Sequence, residues 1–273
     1  MSETPTWTQS ASEQPPSPEI DITQPHAARL WNYWMGGKDN FAADRTAGDY
    51  VAEVYPDIVT MAKVSREMLV RQVTFLAGEA GIRQFLDVGA GLPTMQNTHQ
   101  VAQRVAPESR VVYVDNDPLV LVHARALLAD TTSEGVTAYV EADYNNPEAI
   151  IADSRNVLNY EEPIAVMLMG VLGYVEDVDA RQSIVTRLME PLVSGSYLVL
   201  WDGAATGDAV VAGGEKLAEA GAVPYYLLSP DELARCFSGL ELVEPGLVQL
   251  TQWRPDTDEP QPIDAYGAVA RKL

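Results

Sequence analysis

A chain of 273 residues that is 47% apolar and 21% charged can build a sizeable core, as one large domain or two small ones. Its formal net charge of −21 is spread along the whole length, which excludes a general binder of nucleic-acid phosphates or of anionic membrane. A single cysteine (Cys236) excludes an internal disulfide and a cysteine-cluster metal site; the three histidines (His26, His99, His123) lie far apart, so no metal is expected.

Residues 1–20 are rich in Ser, Thr, Gln and Glu with prolines at 5, 15, 16 and 18, a composition expected to stay disordered. The stretch lacks a basic start followed by an apolar run, and no apolar stretch is long enough to span a bilayer, so a cytoplasmic protein is expected. Residues 21–80 read as a helical prelude. Thr23 is placed to cap a first helix with Pro25 in its first turn and Ala27, Leu30, Trp31 and Trp34 on one face; Gly36-Gly37 ends it. A second helix carries Ala47, Tyr50, Val51 and Val54, and a third runs from Asp57 to about Gly78.

From residue 81 onward short apolar runs alternate with helical stretches. Strands are predicted at Gln84–Val88, Arg110–Val114, Val136–Glu141, Ile164–Met169 and Tyr197–Trp201. Helices are predicted at Met95–Ala106, Leu119–Ala129, Pro147–Asp153, Val178–Leu192 and Asp208–Ala220. Ser229 with Glu232 is a helix-start signature, and Leu240–Leu250 and Tyr266–Ala270 read as two further strands without a helix between them. The whole is an α/β domain over residues 81–273: seven strands, mostly parallel, flanked by helices, with an antiparallel pair closing the sheet.

The chemistry gathers at strand ends. Phe85-Leu86-Asp87-Val88-Gly89-Ala90-Gly91-Leu92-Pro93-Thr94 runs from a strand through a glycine turn toward a helix, where the backbone can approach a ligand. Read alone it is also an ordinary tight strand-to-helix turn. The second strand ends in Asp115-Asn116-Asp117-Pro118, where one aspartate can cap the next helix and the other can take the two hydroxyls of a ribose. The third ends in Glu141-Ala142-Asp143-Tyr144, which places Asp143 for an adenine amino group and Tyr144 beside the ring. The run lacks the third glycine of a dinucleotide site, and Asp87 before the turn suits an ammonium group and disfavours a pyrophosphate. The amino-acid end of S-adenosylmethionine meets both conditions.

With these residues in view, the chain resembles the Rossmann-like S-adenosylmethionine-dependent methyltransferases, and more narrowly a bacterial branch first described as of unknown function. The resemblance runs from Asp21 through most of the chain. Its marks are Gly36-Gly37-Lys38-Asp39-Asn40-Phe41, Ala43-Asp44-Arg45, Gly81 to Asp87, Gly91-Leu92-Pro93-Thr94, Asn97 with His99, Tyr113 to Pro118, Gly195 to Leu200, and Trp253-Arg254-Pro255. It implies that Asp87, Gly89, Ala90 and Gly91 hold the methionine part, Asp115 and Asn116 the ribose, and Asp143 and Tyr144 the adenine, with Gly170 and Val171 lining the same pocket. It also implies a prelude folded over the cofactor, bringing Tyr33, Lys38 and Asn40 toward the methyl group, although the aromatic set Trp31, Tyr33 and Trp34 and the Gly36-Gly37 segment equally read as core and helix cap. Two departures stand out: Ala90 where Thr is usual, and Gly173 where many relatives carry His. No catalytic residue is expected, since methyl transfer needs mainly in-line positioning; Asp202 and Tyr174 are the weak alternatives for a base. The expected activity is methyl transfer to a small molecule. A protein that only holds the cofactor, or a nicotinamide oxidoreductase, stays open as an alternative.

Overall fold

The computed structural model of the chain describes residues 20–93, 96–127 and 132–273. The stretch expected to be disordered therefore lies, up to residue 19, outside the described residues, as do Thr94, Met95 and residues 128–131. Three helices lead: α1 (Ala27–Trp34), α2 (Ala42–Val54) and α3 (Asp57–Gly78). Strands and helices then alternate as β1 (Gln84–Val88), α4 (Thr98–Val105), β2 (Arg110–Asp115), α5 (Pro118–Leu127), β3 (Val136–Glu141), α6 (Pro147–Ser154), β4 (Ala165–Met169), α7 (Val178–Met189), β5 (Tyr197–Gly203) and α8 (Asp208–Glu219). Helix α9 (Pro230–Ala234) and strands β6 (Glu241–Leu242), β7 (Val248–Gln249) and β8 (Ala265–Arg271) complete the order.

The sheet runs β3-β2-β1-β4-β5-β8-β6, with β7 also on β8. Strands β1 to β5 are parallel, and β8 runs antiparallel to β5, β6 and β7. Strand order reverses between β1 and β4, the switch point outside whose carboxyl ends open α/β sheets bind ligands. Alternate residues serve opposite faces. Phe85, Val111, Ala165, Met167 and Val199 join the core under the prelude, whereas Leu86, Val112, Val166, Leu168 and Leu198 join the core under α6 and α7. Burial on both faces explains why these strands read as unbroken apolar runs.

Some boundaries move. The run Leu240–Leu250 splits into β6 and β7, so eight strands form instead of seven; Pro245 has no amide to donate and Gly246 turns at φ 90°, which breaks the ladder between them. Thr23 does not cap α1: its amide and hydroxyl bind Asp21 Oδ1, Pro25 stays outside the helix, and His26 takes the capping position. Helix α4 starts at Thr98, where the Asn97 amide donates to Gln100 Oε1 at 2.9 Å. The capping pair Ser229–Glu232 forms as its spacing predicts.

The prelude is held by one buried carboxylate. Asp44 is fully buried; its Oδ1 accepts from the His26 amide (2.9 Å) and Arg29 Nε (3.1 Å), and its Oδ2 from the Phe41 amide (2.8 Å). It thus ties the start of α1 to the start of α2, the last bond being the reach-back half of a capping box. Arg29 spends its other nitrogens on the carbonyls of Asp21 and Gln24. Replacing Asp44 by Ala leaves a 4% exposed guanidinium without its carboxylate, a loss expected to cost about 3–5 kcal/mol. Urea denaturation of Asp44→Ala checks this, and a loss near zero would show that the prelude is held by other means.

Candidate functional site

A cleft of about 280 Å³ opens where β1 and β4 end, between the sheet edge and helices α1 and α3. The turn after β1 builds its floor. Gly89 sits at φ 72°, and a Cβ there would stand 2.4 Å from Val171, so both conformation and space require glycine. Gly91, at φ 65°, is required by conformation alone, because nothing lies within 4 Å of its missing Cβ. The amides of Gly89 and Ala90 both donate to the carbonyl of Val114, at 2.8 and 3.1 Å, which stitches the turn to β2.

Asp115 completes that stitching. Its Oδ2 accepts the Gly91 amide at 2.8 Å and its Oδ1 accepts those of Asn116 and Asp117 at 2.9 and 3.0 Å. Burial pushes its carboxyl up while these amides pull it down. Asp117 is the helix cap, taking the Leu119 amide at 2.8 Å, and its second oxygen lies 2.8 Å from His26 Nδ1 of the prelude. Of the two aspartates, Asp117 is thus the one that caps α5, and Asp115 is left facing the cleft.

Asp87, only 5% exposed, accepts from Thr98 Oγ1 at 2.6 Å. Burial raises its carboxyl, opposed by Thr98 and by the charge of Arg66. Arg66 comes from α3 and lines the cleft, donating through Nη2 to the carbonyl of Gln96 at 3.0 Å. Nothing in its surroundings in the sequence marks it, because its proximity to Asp87 arises only when α3 lies beside the glycine turn.

Of the residues expected at the site, Asp87, Gly89, Ala90, Gly91, Asp115, Asn116, Tyr144, Gly170 and Val171 all line this cleft. Asp143, Tyr33, Lys38 and Asn40 do not. Asp143 is exposed and closes its own turn, accepting from the amide and side chain of Asn145, while Ala142 faces the cleft. Tyr33 donates to Asp49 at 2.6 Å, Asn40 donates to Asn32 Oδ1 and to the carbonyl of Gly37, and Lys38 is exposed. The prelude instead presents Ala28, Trp31 and Met35, spaced by three and four residues along one side of α1. That spacing was the available signal, and it turns Tyr33 away. Trp31 stands edge-on to Trp34 and Trp201, each 5.6 Å away.

Past Trp31 and Tyr174, which belong to both spaces, lies a second chamber of about 50 Å³ walled by α1, α2, α8 and Tyr225. The Tyr225 hydroxyl donates to Asp202 Oδ1 at 2.6 Å, and the Gly173 amide donates to the same oxygen at 3.0 Å. Asp202 is fully buried, which pushes its carboxyl up to about 6. A Cβ on Gly173 would lie 2.1 Å from the Tyr225 ring, so the glycine at this position is the space that Tyr225 fills. Among the described residues no group of three or more His, Cys, Asp or Glu could hold a metal, and no helix is long and apolar enough to cross a membrane.

Comparison with known proteins agrees with the fold. A family model described as S-adenosyl methyltransferase matches residues 13–273. A solved DUF574 family protein from Streptomyces avermitilis is 44% identical, covers 93% of this chain and 100% of its own, and superposes with a TM-score of 0.89. A proposed methyltransferase from Thermobifida fusca is 42% identical over 94% of this chain and 98% of its own, with a TM-score of 0.87. Human N-acetylserotonin methyltransferase, solved with S-adenosylmethionine, shares the fold at 10% identity and a TM-score of 0.50, covering 89% of this chain and 62% of its own. A search of the curated proteins finds no match. The chain belongs to the S-adenosyl methyltransferase family and is an S-adenosylmethionine-dependent methyltransferase of Rossmann-like fold.

Proposed function

We propose that the cleft at the β1–β4 switch holds S-adenosylmethionine and that the methyl acceptor is a small molecule entering past Trp31 and Tyr174. The observation that carries this reading is the glycine turn locked onto Asp115: a cradle that a Cβ at position 89 would fill, with a carboxylate fixed beside it. When bound, the cofactor supplies an electrophilic methyl group on a sulfonium. Asp87 and the backbone at 89–91 are assigned to its amino-acid end, Asp115 and Asn116 to the ribose, and Tyr144 with Ala142 to the adenine. Gly170 and Val171 close the floor, and Trp31 and Met35 take the place expected of Tyr33, Lys38 and Asn40. Aromatic side chains there exclude water and offer ring faces to a cation.

A small acceptor is favoured on two grounds. The chamber of about 50 Å³ is well below the roughly 150 Å³ that takes up benzene, so it receives a functional group and not a polymer segment. The net charge of −21 also repels polyanionic substrates. Tyr225 lines the chamber and donates to Asp202 buried behind it, so the tyrosine hydroxyl can orient an acceptor and pass its own proton to Asp202 as it takes up the acceptor's.

S-adenosylhomocysteine is expected to raise the melting temperature while NAD does not; stabilisation by NAD alone would sink the cofactor assignment. Asp115→Asn is expected to weaken S-adenosylhomocysteine about tenfold by calorimetry, through one charge-assisted bond. Methyl-labelled cofactor mixed with a cell extract should deliver label to the fraction that passes an ultrafilter. Label in retained protein or nucleic acid would contradict a small acceptor, and binding without any labelled product would point to a cofactor holder.

Asp202 gives a pH test. Its folded pKa of about 6 exceeds the ordinary 3.8, so the folded state holds the proton more tightly than the unfolded chain does. Stability therefore falls as pH rises from about 4 through 6, by on the order of 3 kcal/mol. Asp202→Asn keeps an oxygen for Tyr225 and Gly173 and should lack this slope in denaturation curves; parallel slopes would place the carboxylate in a wetter setting.

A further inference from the structure

The cleft contains a cation that has no ion-pair partner among the described residues. Arg66 lies on the α3 wall facing Asp87, and its Nε is buried without a hydrogen-bond partner. Among the described residues no carboxylate lies within ion-pair distance of it, in a chain with 39 acidic and only 18 basic residues. Arg66 itself is half-buried; the two fully buried arginines are engaged differently, Arg29 being paired with Asp44 and Arg181 donating to the carbonyls of Val175 and Tyr226. A guanidinium offers five donors in a planar fork suited to a carboxylate, and among the described residues only the bond to the Gln96 carbonyl is in use. Desolvating such a group without an anion is costly.

Asp87 is near enough for each charge to be felt by the other, yet the two do not pair. Asp87 spends one oxygen on Thr98. An anion and a cation held apart on facing walls of one cleft, each short of its natural partner, form the complement of a zwitterion. We infer that Arg66 binds the carboxylate of the cofactor's amino-acid end while Asp87 takes its ammonium group. The inference rests on the cofactor reading above and adds the residue that reads the carboxylate. It also accounts for discrimination: a pyrophosphate would satisfy Arg66 but meet the charge of Asp87, whereas an α-amino acid satisfies both.

Three probes separate the roles by calorimetry on the full chain. S-adenosylhomocysteine carries both charged groups, its decarboxylated analogue (S-adenosyl-3-thiopropylamine) carries only the ammonium, and 5′-methylthioadenosine carries neither. Arg66→Met is expected to weaken S-adenosylhomocysteine roughly ten- to hundredfold and leave the other two unchanged. Asp87→Asn should weaken the first two and spare 5′-methylthioadenosine. Arg66→Lys, which keeps the charge but not the fork, should fall between Met and Arg for S-adenosylhomocysteine, and melting curves without ligand report whether each variant folds. Equal losses across all three probes in Arg66→Met would mean that Arg66 only shapes the loop at Gln96, and no loss for S-adenosylhomocysteine would mean that it does not reach the carboxylate; either overturns the inference. Failure of the unaltered protein to bind any of the three would remove the cofactor reading and this assignment with it.

Discussion

The buried carboxylate of Asp44 decides how α1 is set against α2, and so which side of α1 the prelude can turn to the sheet. By gathering the amide of His26, the guanidinium of Arg29 and the amide of Phe41, it fixes two helix starts against each other in a place with no water to compensate a lost partner. From that fixed corner α1 carries Trp31 and Met35 over the sheet edge, and His26 reaches across to Asp117 at the cap of α5. Without this anchor α1, which carries one wall of the cleft, would lose its tie to α2.

Electrostatics then set what the cleft accepts. Asp87 and Asp115 are like charges near enough for Asp115 to raise the carboxyl of Asp87, in a protein already strongly acidic. They are tolerated because backbone amides converge on Asp115 and because Thr98 and the charge of Arg66 act on Asp87. The lining is therefore divided: Asp87 with Arg66 near the β1 end, Asp115 at the β2 end, and apolar side chains toward Trp201 and Tyr174.

Much of this was legible in the sequence. Strands β1 and β3 fall on their expected residues; for β1, buried along its whole length, an apolar run bounded by Gly, Asp or Pro has one interpretation, and the edge strand β3 is marked by its β-branched and aromatic residues. The glycine turn and Asp115 were legible because they sit at fixed offsets from strand ends. Arg66 was not, since its meaning depends on a helix-to-sheet contact between segments about twenty residues apart. Asp143 shows the converse: an aspartate at a strand end can serve its own turn, and a one-residue step along an extended chain reverses the direction of a side chain. The same parity gives Ala142 to the cleft. In α1 the helical period, applied strictly, separates Trp31 from Tyr33.

Gly173 and Tyr225 lie fifty-two positions apart by number, yet they occupy what amounts to one volume, since any Cβ at 173 would overlap the tyrosine ring. Moving that ring would withdraw a hydrogen bond from Asp202, whose other oxygen has no partner among the described residues. The two positions therefore share one steric allowance: a side chain at 173 has to be met by a displaced or smaller residue at 225, and either change takes a donor away from Asp202.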